Sequence, residues 1–165
     1  MAISINRPAR SIKPAGLLGY DKFQIAYVTN DLERAIEIFR EDHNIQNWTV
    51  FDAGGGMRIA LAWTNGQQIE LIHTGALDMP LYDDWVDKNG EFTIRHHHFG
   101  YFIYDDAEWA QLNRQIEAGN RRRMMDADTE MLKVIYIDAP ELGHYLEYIY
   151  PNEKGKAFFE SVASN

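Results

Sequence analysis

Gln24-Ile25-Ala26-Tyr27-Val28-Thr29-Asn30-Asp31 and His98-Phe99-Gly100-Tyr101-Phe102-Ile103-Tyr104-Asp105 are two versions of one phrase. Each is a β-rich run with a small residue at its third position and an acid at its eighth. A helical period follows each. Leu32, Ala35, Ile36 and Phe39 fall at i, i+3, i+4 and i+7, and Trp109, Leu112 and Ile116 repeat a similar spacing. Asp31 and Asp105 stand where a helix start needs a side-chain acceptor for its free N–H groups. A second pair of strands matches further on: Gln68-Ile69-Glu70-Leu71-Ile72 with Tyr145-Leu146-Glu147-Tyr148-Ile149. The first strands are 74 residues apart and the last 77, a difference that loop variation accounts for.

Between these ends lie further strand-like runs, residues 48–51 and 57–63 in the first half and 122–125 and 131–137 in the second. Asn65-Gly66 is a two-residue hairpin signal, and Pro140 with Gly143 brackets the equivalent turn. Each half therefore reads β-α-β-β-β, and the fold class is α+β. Residues 22–92 and 93–150 are expected as paired modules of one domain. Residues 1–21 read as an N-terminal extended arm and residues 151–165 as a C-terminal helix, with a short connecting helix over 81–88. Gly54-Gly55-Gly56 lacks the Lys-Ser/Thr of a phosphate loop and reads as a hairpin loop.

Composition narrows the function classes. Of 165 residues, 45% are apolar and 25% charged, which is globular. No apolar run approaches the roughly 20 residues of a membrane span. Sixteen basic against twenty-five acidic residues give a net charge of −9, which argues against a nucleic-acid partner. There is no cysteine, so disulfides, thiolate nucleophiles and zinc–thiolate sites are excluded, and a metal must be held by His, carboxylate or amide oxygen. A cytoplasmic location fits this usage. The first 20 residues carry Arg7, Arg10 and Lys13 and no acid, leaving −12 on the remainder. They lack the apolar stretch of a secretory signal and are read as an arm lying on the acidic body or on a partner subunit.

Alternation along a strand puts Gln24, Ala26 and Val28 on one face, and His98, Gly100 and Phe102 on the matching one. Glu70 shares a phase with Ile72, and Glu147 with Tyr145 and Ile149. A carboxylate among apolar neighbours is expensive to bury without a counter-charge. Polar groups at equivalent places of a duplicated unit point to one meeting place. Gln24, Glu70, His98 and Glu147 supply three oxygens and a nitrogen suited to a divalent cation with positions left for water or substrate. His98 lies in His96-His97-His98, where alternation sets His97 opposite the other two and the repeat selects His98 over His96.

Here the chain resembles the vicinal oxygen chelate superfamily, which includes glyoxalase I, methylmalonyl-CoA epimerase, extradiol dioxygenases and bleomycin-resistance proteins. The resemblance runs from Lys22 to Tyr150. Glu70-Leu71-Ile72-His73, Asp78-Met79-Pro80, Lys88-Asn89-Gly90 and His97-His98 look most like the epimerase branch, and the Gln, Glu, His, Glu order is similar to animal glyoxalase I. It implies one curved mixed sheet around a central cavity. It also implies one divalent ion (Zn, Ni, Co, Mn or Fe) on Gln24, Glu70, His98 and Glu147, and a small carbonyl substrate. The activity implied is that of a lyase or isomerase abstracting a proton beside a chelated carbonyl. Glu147 is the first candidate base and Glu70 the second, with Phe102, Tyr145 and Val28 lining the substrate pocket. A homodimer is common in the group. The alternatives are a non-catalytic small-molecule binder and, disfavoured by Gln24 in place of a His, an extradiol-type dioxygenase. Val28 stands where animal glyoxalase I has an Arg for glutathione, and residues 53–69 contain none of the acids that would supply an epimerase's second base.

Overall fold

Residues of the strand β1 (Asp21–Thr29) go alternately to two destinations. Ile25 and Tyr27 pack beneath helix α1 (Leu32–His43), whose buried stripe is Leu32, Ala35, Ile36 and Phe39. Gln24, Ala26 and Val28 are buried on the opposite face. The Asp31 side chain accepts from the Arg34 N–H and starts α1; Asp105 does the same through the Glu108 N–H for α3 (Asp106–Ala118). The computed structural model describes residues 14–165. Most of the expected N-terminal arm lies outside the described residues. Its described end makes a short turn at Leu17–Gly19 and rests on the second module, where the Tyr148 hydroxyl donates to the Leu17 carbonyl.

The remaining strands are β2 (Thr49–Gly54), β3 (Met57–Thr64), β4 (Gln67–His73), β5 (Ile94–Phe102), β6 (Arg123–Asp128), β7 (Leu132–Ala139) and β8 (His144–Pro151). They form one eight-stranded mixed sheet in the order β2-β3-β4-β1-β5-β8-β7-β6, curled into a half-barrel. β1 pairs in parallel with β4, and β5 with β8, while β1 and β5 meet antiparallel at the centre. Each module is thus a βαβββ unit, and the two are related across the β1–β5 seam. Asn65 and Gly66 both take positive φ, 48° and 75°, the two-residue loop that joins β3 to β4.

The outer, helix-bearing face is divided between the modules. Leu32, Phe39, Ile69 and Leu71 belong to one cluster; Leu112, Ile116, Ile135 and Tyr148 belong to the other. On the inner face the modules mix. Phe23 of β1 joins Val134, Tyr136, Tyr145 and Phe159, the last from helix α4 (Glu153–Ser161). Val28 joins Met57 and Ile72 under Tyr82 and Val86. The connecting helix is shorter than its expected span: α2 covers Pro80–Asp83 only. Asp83 turns back to accept the Met79 N–H and the Thr74 hydroxyl, and pairs with Lys88 at 2.8 Å.

The central seam explains the small residues of the repeated phrase. Gln24 lies opposite Gly100, and Ala26 opposite His98. Each large polar group thus rises beside a minimal side chain on the other module. A Cβ at residue 100 would sit 2.6 Å from Gln24 Oε1, 2.9 Å from Gln24 Cβ and 3.2 Å from Glu147 Oε2. Gly100→Ala should therefore lose about 2 kcal/mol, the usual scale of overpacking, and lower Tm by about 4–8 °C. Thermal denaturation of Gly100→Ala beside Gly100→Ala/Gln24→Ala checks the cause, because shortening Gln24 should return part of the loss, the contacts with Cβ of residue 24 and with Glu147 remaining.

Candidate metal centre

Four strands deliver four donors to one place. The parallel registers set Ala26 beside Glu70 and Gly100 beside Glu147, so equivalent carboxylates rise next to the small residues of both central strands. His98 Nε2 lies 3.1 Å from Glu147 Oε2, 3.3 Å from Glu70 Oε2 and 3.3 Å from Gln24 Oε1. Glu70, His98 and Glu147 offer ligand atoms that all fall within 4.8 Å of one another. All four residues are buried, His98 completely.

Satisfaction of these polar atoms is incomplete. One N–H at Nε2 cannot serve three oxygens, and the Oε2 atoms of Glu70 and Glu147 are buried without a directed hydrogen bond. Gln24 is oriented from behind: its Nε2 donates to Gln68 Oε1 at 2.8 Å, which turns its Oε1 toward His98. Burial raises the Glu70 carboxyl above its ordinary range, an effect the proximity of Glu147 adds to and His98 opposes. Burial alone would lower His98, but Glu147 and then Glu70 outweigh it and lift the imidazole to about 9. The two carboxylates therefore demand a positive partner at this point. A divalent ion meets that demand with the same atoms. Three oxygens and an imidazole nitrogen form a set typical of divalent transition metals, and separations of 3.1–3.3 Å match those of neighbouring donors around an ion held at ~2.1 Å. The residues fit a metal.

Further groups close the site. Tyr136 stands opposite Glu147 in the β7–β8 register, and burial with the charge of Glu147 raises its pKa well above normal. Tyr82 reaches in from α2, its hydroxyl 3.4 Å from that of Tyr136. His97 is also buried on this side, its Nδ1 2.7 Å from His98 Nδ1 and its Nε2 2.8 Å from the Leu81 carbonyl. Simple alternation sends His97 to the other face. The β1–β5 pairing instead slips between Ala26 and Tyr27, which face His98 and His96, leaving His97 as the extra residue of a bulge. His96 faces outward against Tyr27, Phe99 and His144.

The expected pocket residues take three different surroundings. Val28 is sealed beneath Tyr82 and Val86, and Tyr145 packs against Trp85 and His97. Phe102 stacks on Phe23 and lines a cavity of about 510 Å³ with Trp63, Tyr104, Lys156 and Phe159. Gln68, Tyr82, His97 and Tyr136 are the residues the sequence reading passed over. Gln68 alone had a signal, two residues before Glu70 and in phase with it. Elsewhere on the surface, Arg121 pairs with Glu141, and Arg123 with Asp126 and Asn113.

No protein-family model matches the sequence, and no curated protein is significantly similar to it. Solved structures share its fold. Methylmalonyl-CoA epimerase from Mycobacterium tuberculosis is 18% identical and superposes with a TM-score of 0.63 over 90% of this chain and 98% of its own. A hypothetical protein from Bacillus halodurans C-125 is 14% identical, with a TM-score of 0.62 over 81% of this chain and 95% of its own. A variant of Streptomyces coelicolor methylmalonyl-CoA epimerase in complex with 2-nitronate-propionyl-CoA is 18% identical, with a TM-score of 0.59 over 81% and 96%. The architecture is that of the vicinal oxygen chelate fold. Among the described residues no helix is long and apolar enough to cross a membrane.

A proton on His98 and a cation compete for one nitrogen. Zn2+ affinity should therefore rise about tenfold per pH unit between roughly pH 6 and 8 and flatten as His98 deprotonates near 9. Calorimetric titration across that range checks it; a flat profile would remove His98 from the ligand set.

Proposed function

We propose that this protein is a divalent-metal-dependent lyase or isomerase of the glyoxalase/epimerase type, acting on a small carbonyl compound by proton abstraction beside the carbonyl. The observation that carries this reading is the convergence of Gln24, Glu70, His98 and Glu147 at distances of 3.1–3.3 Å in a buried site. Those four residues would hold the ion, which supplies a Lewis acid that makes a neighbouring C–H more acidic.

The chain's own groups do the rest. Glu147 is the base, taking the proton on its carboxylate, with Tyr136 beside it in the β7–β8 register. Glu70, whose affinity for a proton burial has raised, is the second candidate. Tyr82 and Trp85 roof the site and exclude water, which strengthens every charge interaction beneath them.

The acid–base groups are unequally distributed. Opposite Glu147 stands the phenol of Tyr136, whereas opposite Glu70 stands Leu61. A two-base inversion needs proton-transferring groups on both sides of the reacting carbon, and β3 provides none. A two-base inversion would therefore have to use Glu70 itself as the second base.

The test uses protein purified without chelator, analysed by plasma mass spectrometry, then incubated in deuterated buffer with methylmalonyl-CoA or with the hemithioacetal of methylglyoxal. Wild type should retain a stoichiometric transition metal and exchange α-protons of at least one probe. Glu147→Gln should lower exchange by ~10²–10⁴-fold, the usual worth of a positioned base. Retained metal without exchange into either probe would favour a binding protein over an enzyme.

A further inference from the structure

We infer that His97 is a positioning residue through which the main-chain carbonyl of Leu81 selects the nitrogen that His98 presents to the carboxylates, so that docking of the α2 segment and cation binding are coupled. The inference rests on the metal reading given under Proposed function. Its basis is the direction of two hydrogen bonds.

A carbonyl oxygen can only accept, so the 2.8 Å contact with Leu81 places a proton on His97 Nε2. The rings of Tyr82, Trp85, Tyr136, Tyr145 and His98 lie 4.9–6.2 Å away between centroids, the residue is fully buried, and among the described residues the charged groups acting on it are His98 and His96. None is a carboxylate, so a second proton and its charge would go uncompensated. His97 is thus neutral with a bare Nδ1. The 2.7 Å contact between the two Nδ1 atoms is then a bond donated by His98. With Nδ1 engaged, His98 turns Nε2 toward Gln24, Glu70 and Glu147. A second imidazole here does what a carboxylate or carbonyl does behind many metal-bound histidines, fixing tautomer and ring together.

The acceptor at the far end of this chain belongs to a segment that is itself tied down remotely. Asp83 accepts from the Thr74 hydroxyl at 2.5 Å and from the Met79 N–H at 2.7 Å, and pairs with Lys88 at 2.8 Å. None of those groups touches the four donors. Asp83 is accordingly a handle on the segment that leaves the donors intact. Because coupling is reciprocal, whatever cation binding gains from a docked segment the segment gains from the cation.

Two measurements test this. In 15N-histidine-labelled protein, long-range 1H–15N spectra should show His97 as the neutral Nε2–H tautomer; an Nδ1–H or charged His97 overturns the proposal. In calorimetric titrations with Zn2+, His97→Phe and Asp83→Ala should each weaken Kd by ~10–100-fold, and the double variant by less than the product of the two. In parallel, Zn2+ should slow amide hydrogen exchange over residues 81–86 in wild type but not in His97→Phe. Wild-type Zn2+ affinity in both variants overturns the coupling while sparing the metal site. A wild-type protein that binds no Zn2+, Co2+ or Ni2+ overturns the metal reading beneath it. Should His97→Phe fail to fold, the tautomer spectrum and Asp83→Ala decide the matter.

Discussion

Two carboxylates, Glu70 and Glu147, face each other inside a curled sheet, and like charges in a medium of low dielectric cannot stay so without a positive partner. Much of the inner architecture answers that constraint. His98 stands between them on the central seam, and Gln24 contributes an uncharged oxygen that limits the negative charge. The roof of aromatic rings keeps water away, which sharpens the need for compensation. A chain folded only for stability would more cheaply have carried leucines at both positions, since apolar replacements of buried ionic groups are often neutral or stabilising.

The fold was legible because it is written twice. Strand alternation, the two capping aspartates and the Asn65-Gly66 loop are local signals, and each acts locally in the structure. The convergence of Gln24, Glu70, His98 and Glu147 was legible for the same reason: offsets of 74 and 77 residues place them in equivalent registers. What escaped depends on information no local pattern contains. His97 is displaced by a bulge, and a one-residue slip in strand pairing reverses every inference from alternation. Tyr82 arrives from α2, whose docking on the inner face is decided by tertiary packing. Asp83 is held by Thr74 and Lys88, partners that lie outside its helix and that no helical spacing points to.

Sharing a fold with methylmalonyl-CoA epimerases at 18% identity shows how little of the sequence the architecture demands. It demands apolar periodicity, two turns and small residues at the seam. Chemistry is set by a handful of inward-facing positions, and at two of them this chain is unsymmetrical: Leu61 opposes one carboxylate and Tyr136 the other. The halves that built a symmetrical frame have thus taken unequal duties within it.

That frame also binds the halves together in time. Gln24 fits only because residue 100 has no side chain, and His98 rises over the methyl of Ala26. Neither module is free to drift alone at the seam, since a bulkier residue in one is admitted only by a shorter one in the other. Gene duplication ordinarily liberates one copy to vary; interdigitation at the seam withdraws that liberty and makes the pair inherit change jointly.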